Sequence, residues 1–209
     1  MKLLLSLFIS ITLVGCSVVG QDNVESAPYT LIKSDKAKKI EIRNYDSMVL
    51  VSTSMSGDSG YSAFRTLFNY ITGDNEGAIE ISMTAPVFLG DKSVKNKGTQ
   101  ISMTAPVFIN KSANTSLMSF VMPKDFTLET TPKPTNPDVK VSEVKDYKVA
   151  AIQFNGTLSD SNVEKYTEIL NTWIVENGFT STSQAITAGY NGPLTIPFWR
   201  RNEVLIEIK

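Results

Sequence analysis

The chain has no histidine in 209 residues and a single cysteine, Cys16. Without imidazole, His ligation of iron or zinc and a Ser-His-Asp triad are excluded. One cysteine closes no disulfide within the chain, so the fold must hold by packing alone. No excess of positive charge is available for a nucleic-acid backbone: 20 Lys and Arg stand against 21 Asp and Glu, a net charge of -1. The most apolar run, residues 3–14, is broken by Ser6, Ser10 and Thr12 and falls short of the roughly 20 residues that cross a bilayer. A Gly-rich phosphate cradle is missing, and Asp and Glu show no metal-ligand spacing.

That apolar run follows Lys2 and fits the core of a secretory signal peptide. Leu13-Val14-Gly15-Cys16 resembles the lipobox at which bacterial lipoproteins are cut before a cysteine that carries acyl chains such as palmitate. The resemblance implies a signal peptide over 1–15, lipidation of Cys16 and a lipidated tether over 16–27. Ser17 after the cysteine is similar to the outer-membrane sorting choice of Gram-negative bacteria. The expected location is the outer membrane, with the domain facing the periplasm. Residues 28–209 suffice for one domain that buries roughly 70% of its unfolded surface.

Within that domain, IEIRNYD (40–46) and MVLVSTSMSG (48–57) read as strands. A helix follows, capped by Asp58 or Ser59, with Tyr61, Phe64, Leu67, Phe68 and Ile71 as its apolar stripe and Gly73 as its stop. SLMSFVMP (116–123) is another strand. TLETTPKPTNPD (127–138) has three prolines and reads as a connector. The order then repeats: strands near 139–145 and 148–156, a helix near 161–177, and strands near 184–190 and 202–208. Ser161 and Glu164 have capping-box spacing, Val163, Tyr166, Ile169, Leu170, Trp173 and Ile174 form the stripe, and Asn177-Gly178 ends the helix. Each half runs strand, strand, helix, strand, strand. The expected fold is α+β: a distorted antiparallel barrel or sheet flanked by two helices, in two pseudo-symmetric halves.

The octapeptide ISMTAPVF occurs twice, at 81–88 and 101–108. Its alternation puts Ile81, Met83, Ala85 and Val87 on a buried face and Ser82 and Thr84 on a wet one, with Met103 repeating Met83. Pro86 and Pro106 remove a ladder donor, so each copy must bend, bulge or lie at an edge there.

With FVMPKDFTLETTPKPTNPDVKV (120–141), VAAIQFNGTLSD (149–160) and AGYNGPLTIPFWRRNEVLIEI (188–208), the doubled octapeptide resembles the SOUL heme-binding protein family, in its bacterial lipoprotein-type form. The resemblance runs from about Ile40 to Ile208. It implies a barrel of two pseudo-symmetric halves with two helices, similar to the effector-binding domains of drug-sensing regulators. It also implies a tetrapyrrole cleft between the first helix and the loop before the last strand. Carried over, the cleft takes Tyr61, Phe64, Arg65 and Phe68 from the helix and Tyr190, Pro193, Phe198, Trp199, Arg200 and Arg201 from the loop.

Arg65, Arg200 and Arg201 suit propionate carboxylates, and Met83 and Met103 suit an adaptable pocket wall. Phe64 and Phe68 equally fit the helix core. With no histidine, Met, Tyr, water or hydroxide is left for the iron, and heme would be held reversibly, mainly by its apolar faces and propionates, as a membrane-anchored binding protein rather than an enzyme would hold it. The same cleft suits another amphipathic ligand. Hydrolysis would need a pocket carboxylate such as Glu80, Glu203 or Glu207, although charged strand residues ordinarily face water. A structural or partner-binding role without a ligand also stays open.

Overall fold

The computed structural model describes residues 25–55, 60–91, 116–191 and 195–209. Cys16, the second octapeptide with Met103, the helix caps Asp58 and Ser59, and Pro193 lie outside them.

Nine strands are described: β1 (Glu25–Ser26), β2 (Thr30–Asp35), β3 (Ile40–Met55), β4 (Thr84–Ala85), β5 (Val87–Asp91), β6 (Ser116–Val121), β7 (Lys140–Phe154), β8 (Ile186–Gly189) and β9 (Asn202–Glu207). There are two helices, α1 (Gly60–Ile71) and α2 (Asp160–Glu176), and one 3-10 turn, Pro197–Trp199. The main sheet runs β2-β3-β6-β5-β8-β9-β7, and β7 pairs back onto β3. Six strands therefore close into an antiparallel barrel, with β2 attached outside the ring.

The strand pairs expected at 40–57 and 139–156 are each one long strand that changes parity midway. Tyr45 and Tyr147 face the interior, as do Met48 and Val144, although odd and even numbers should point to opposite faces. Asp46 and Asp146 lie between the rungs Tyr45↔Tyr147 and Ser47↔Lys145, and Asp146 has φ of 50°, a conformation Asp tolerates better than most residues. Because both strands insert a residue at the same rung, the register before and after it agrees. The outer face then presents Ile40, Ile42, Ala150 and Ile152 to one helix and Val49, Val51 and Val141 to the other.

α1 buries Ala63, Leu67, Tyr70 and Ile71. Its buried face is rotated from the expected stripe: Tyr61 is 73% exposed and Phe68 42%. Tyr70 takes their place because the proline-rich connector gives its hydroxyl a partner, the Pro132 carbonyl at 2.7 Å. That connector also donates from Thr135 N to Asp74 O and accepts at Lys133 O from Glu76 N, so it covers the end of α1. α2 buries Leu170, Trp173 and Ile174. Ser159 rather than Ser161 caps it, accepting from Asn162 N. Gly178 (φ 77°) and Phe179 donate back to Val175 O and Ile174 O, which satisfies two orphan carbonyls at the helix end.

The first octapeptide is not one alternating strand. It breaks at Pro86, which follows a cis peptide bond, into β4 and β5. Ile81, Met83 and Val87 pack with α1 outside the barrel, while Phe88 enters the interior. Thr84, expected in water, is buried. β1 pairs with β4, Ala27 joins the interior cluster, and β2 pairs with β3, so Glu25 to Tyr29 crosses one mouth of the barrel.

Leu67 is fully buried between α1 and the sheet. Replacing it by Ala should lower the unfolding free energy by about 3 kcal/mol, measured by urea denaturation. A loss below about 1 kcal/mol would mean that α1 does not pack there.

Candidate functional site

α1 lies over β3 and β6, and α2 over β7 and β9. The outer faces of β5 and β8 run between the helices, and neither helix lies across them. Phe88, Ile186, Ala188 and Tyr190 pack with the interior cluster, so alternation turns Val87, Leu89, Thr187 and Gly189 outward. All four are half-buried. Val87 and Leu89 pack against the α1 cluster from the side, and Leu158, just before α2, stands beside Gly189, where a Cβ would meet its Cδ1 at 3.7 Å.

This strip has an aromatic margin on each side. On α1, Phe64 and Phe68 stack with centroids 6.1 Å apart, and Phe64 meets Phe120 edge-on at 5.4 Å. Tyr61 and Arg65 are exposed on the same helix. On the other side the 3-10 turn is fixed beside the start of α2: Gly156 N donates to Pro197 O and Asn155 Nδ2 to Arg200 O. Ile196, Phe198 and Trp199 project from it, 42%, 77% and 46% exposed.

The arginines expected to bind carboxylates differ in what they already hold. Arg200 Nε donates to Thr195 O at 2.7 Å, which closes the turn. Arg201 is committed to Glu203, with Nη2 2.7 Å and Nε 3.1 Å from Oε1. Arg65 remains at the surface of α1. Met83 packs with α1 rather than inside the barrel.

Glu203 was expected to face water and is instead fully buried. Arg43, also buried, reaches it with both terminal nitrogens, at 2.6 and 2.9 Å, and Tyr190 donates its hydroxyl to Oε2 at 2.7 Å. Arg43 Nε holds Glu41 at 2.8 Å, Tyr29 covers the Arg43 guanidinium at 4.6 Å, and Arg201 lies 4.1 Å over the Tyr190 ring. Burial alone pushes the Glu203 carboxyl up. The hydrogen bonds and charge of Arg43, then Arg201 and Tyr190, outweigh it and hold the carboxyl below its ordinary value. Burial pushes the Tyr190 hydroxyl well up, so it remains a donor.

Arg43 was not among the candidate residues, and Glu203 entered only as a possible hydrolytic carboxylate. The signal was present in NEVLIEI: Val204 and Ile206 pack under α2, and the alternate set, Glu203 and Leu205, lies inside a closed barrel rather than in water. Because the network grips both Tyr190 and Arg201, it pins the two ends of the loop that carries the 3-10 turn. Elsewhere, Glu80 is exposed, and burial raises the Glu207 carboxyl. Among the described residues no helix is long and apolar enough to cross a membrane, and no three His, Cys, Asp or Glu side chains are placed to hold a metal ion.

A six-stranded antiparallel barrel with one outer strand and two flanking helices defines the class. The particular family follows from sequence: the model for the SOUL heme-binding protein family matches residues 24–97 and 90–207. Human heme-binding protein 2 is 30% identical over 169 residues, which span 78% of this chain and 75% of that protein. The chain belongs to the SOUL heme-binding protein family.

Among solved structures, the EcmrR C-terminal domain superposes with a TM-score of 0.52 at 14% identity, over 87% of this chain and 98% of that one. An uncharacterized conserved protein from Listeria innocua gives 0.56 at 11%, over 82% and 93%. A hydrolase from the same organism gives 0.52 at 10%, over 82% and 92%. At these identities the likeness is one of fold alone.

Replacing Glu203 by Gln leaves buried Arg43 with only the partly exposed Glu41 as counter-charge and should cost about 3 kcal/mol of stability, read by denaturant titration. Because the folded carboxyl lies below its ordinary 4.5, its contribution is whole above that value and is lost as pH falls through the folded one. The acid limb of the wild-type stability curve should therefore be steeper than that of E203Q. Parallel limbs would remove the assigned role.

Proposed function

We propose that the chain is a membrane-anchored, periplasmic binding protein that takes up heme or another tetrapyrrole reversibly and catalyses no reaction on it. The observation that carries this reading is the half-buried strip Val87, Leu89, Thr187 and Gly189, left between two helices and edged by aromatic rings. A flat apolar disc needs such a floor with aromatic walls, and its carboxylates need a cation at the edge.

Phe64, Phe68 and Tyr61 form one wall, and the backbone of the 3-10 turn, tied to Gly156 and Asn155, closes the other side. Arg65 is the propionate partner of this proposal, since Arg201 already serves Glu203. Iron receives no imidazole from this chain, and the Tyr190 hydroxyl is held by Glu203. The donor set therefore suits a porphyrin bound through its faces and carboxylates, with exchange rather than permanent retention as the consequence. The non-enzymatic reading draws support from the same network: the Glu203 carboxylate, neutralised by two arginines, is a poor general base. Anchoring rests on Leu13-Val14-Gly15-Cys16 behind the apolar run.

Two measurements test these elements separately. Hemin titrated into the protein should give a saturable Soret change. Gly189→Phe, which fills the strip from a backbone position without positive φ, should weaken that binding at least tenfold with unchanged circular dichroism. No saturable change in the wild type, or equal affinity in the variant, would sink the heme site. For the anchor, Cys16→Ser should move the protein from the membrane to the soluble periplasmic fraction, and unchanged fractionation would overturn lipidation.

A further inference from the structure

The 3-10 turn exposes more apolar surface than a connector requires. Phe198 is 77% exposed, Trp199 46% and the preceding Ile196 42%. The rings are not outward because the backbone is loose. Arg200 N donates to Pro197 O, Arg200 Nε to Thr195 O, Arg201 N to Asn191 Oδ1, and Gly156 N ties the turn to the neighbouring loop. A polar frame thus holds an apolar tip into solvent.

Strand register says which way the tip faces. Glu25 and Ser26 pair with Thr84 and Ala85; two residues on, Val87 is opposite Gly189, and Gly189 is opposite Asn202. The first described residues and the turn therefore sit at the same mouth of the barrel. Only residues 17–24 separate Cys16 from β1, a reach of at most about 32 Å when fully extended. A chain fixed to a bilayer at Cys16 keeps this mouth, and the tip beside it, close to the lipid headgroups.

We propose that Ile196, Phe198 and Trp199 form a second membrane contact, inserting their side chains into the interface of the bilayer that anchors the chain. The inference rests on the anchored reading above. Its occupant is a lipid surface: Trp and Phe partition into the interfacial zone, and the polar frame of the turn stays at headgroup level. A single lipid-modified residue leaves the domain free to tumble, and a second contact fixes its orientation. The strip between β5 and β8 then opens beside the lipid, so that an amphipathic ligand passes between bilayer and groove without crossing water.

The two tryptophans make this measurable in the full chain. Trp173 is 2% exposed and bonded to Asp35, and Trp199 is at the tip, so Trp199→Phe isolates the Trp173 emission. The lipid-modified chain is reconstituted into phosphatidylcholine vesicles with and without brominated acyl chains, and binding is followed by flotation. The Trp199 component should lose at least half its intensity in brominated vesicles, while the Trp173 emission of the variant stays within a tenth. Phe198→Ser should reduce the Trp199 quenching at least twofold. Flotation with equal Trp199 emission in both vesicles would overturn the tip contact and leave the anchor standing. Failure of the chain to float would overturn both.

Discussion

Pairing of β3 with β7 is the constraint on which the rest of the molecule depends. Without it the sheet would be open, with one face packed under helices and the other in water. With it the second face becomes an interior, and the strands under the helices must supply buried side chains on both sides. Tyr45, Met48, Val144, Tyr147, Ala188 and Leu205 fill that interior, and two separate clusters outside it carry α1 and α2. The residue inserted at Asp46 and at Asp146 lets one pair of long strands serve both helices. β3 crosses from the α2 side to the α1 side of the barrel and β7 returns, both keeping large side chains pointed inward. Pseudo-symmetry of the two halves is thus anchored at one rung.

Closure also determines what becomes of Glu203. An unpaired carboxylate in such an interior would cost several kcal/mol (roughly, after relaxation). It is held instead by five donated hydrogen bonds, two from Arg43, two from Arg201 and one from Tyr190. Arg43 comes from β3, on which β7 closes, and the other two partners flank the loop between β8 and β9. Barrel closure and loop placement are consequently coupled through one side chain. The loop can present Phe198 and Trp199 on a rigid turn because its ends are tied to the most buried charge in the described structure.

Much of this was legible in sequence, and the errors share one cause. Helix α2 could be read from 3.6-residue spacing and its Asn177-Gly178 ending, since both are local. The cap moved from Ser161 to Ser159 because two serines two residues apart offer the same chemistry. The stripe on α1 was misjudged at Tyr61 and Phe68, because the partner that buries Tyr70 is Pro132, far along the chain. The octapeptide read as alternating because its composition alternates, yet Pro86 turns Phe88 into the barrel and leaves Val87 outside. Glu203 was placed in water because a charge in a strand usually faces it; only closure by a distant strand makes that face dry. The candidate groups on α1 and on the turn come from family resemblance. Arg43 and Glu203, which position one of them, required the three-dimensional pairing.

The division of labour among the arginines bears on how a site of this kind can act. Arg43 and Arg201 are committed to Glu203 and Arg200 to the turn, so three of the strongest carboxylate donors near the loop contribute geometry rather than affinity. On the proposed reading, what is left for a ligand is mostly surface: a strip floored by Val87, Leu89, Thr187 and Gly189, aromatic edges and Arg65. Apolar contact over a flat floor scales with area and discriminates poorly among flat amphipathic molecules. On the reading proposed above, selectivity then comes from the width between the two aromatic margins, which the Glu203 network holds on one side and the Tyr70–Pro132 contact steadies on the other. A binding surface built this way favours capture and release over retention, because no single strong bond must break when the ligand leaves.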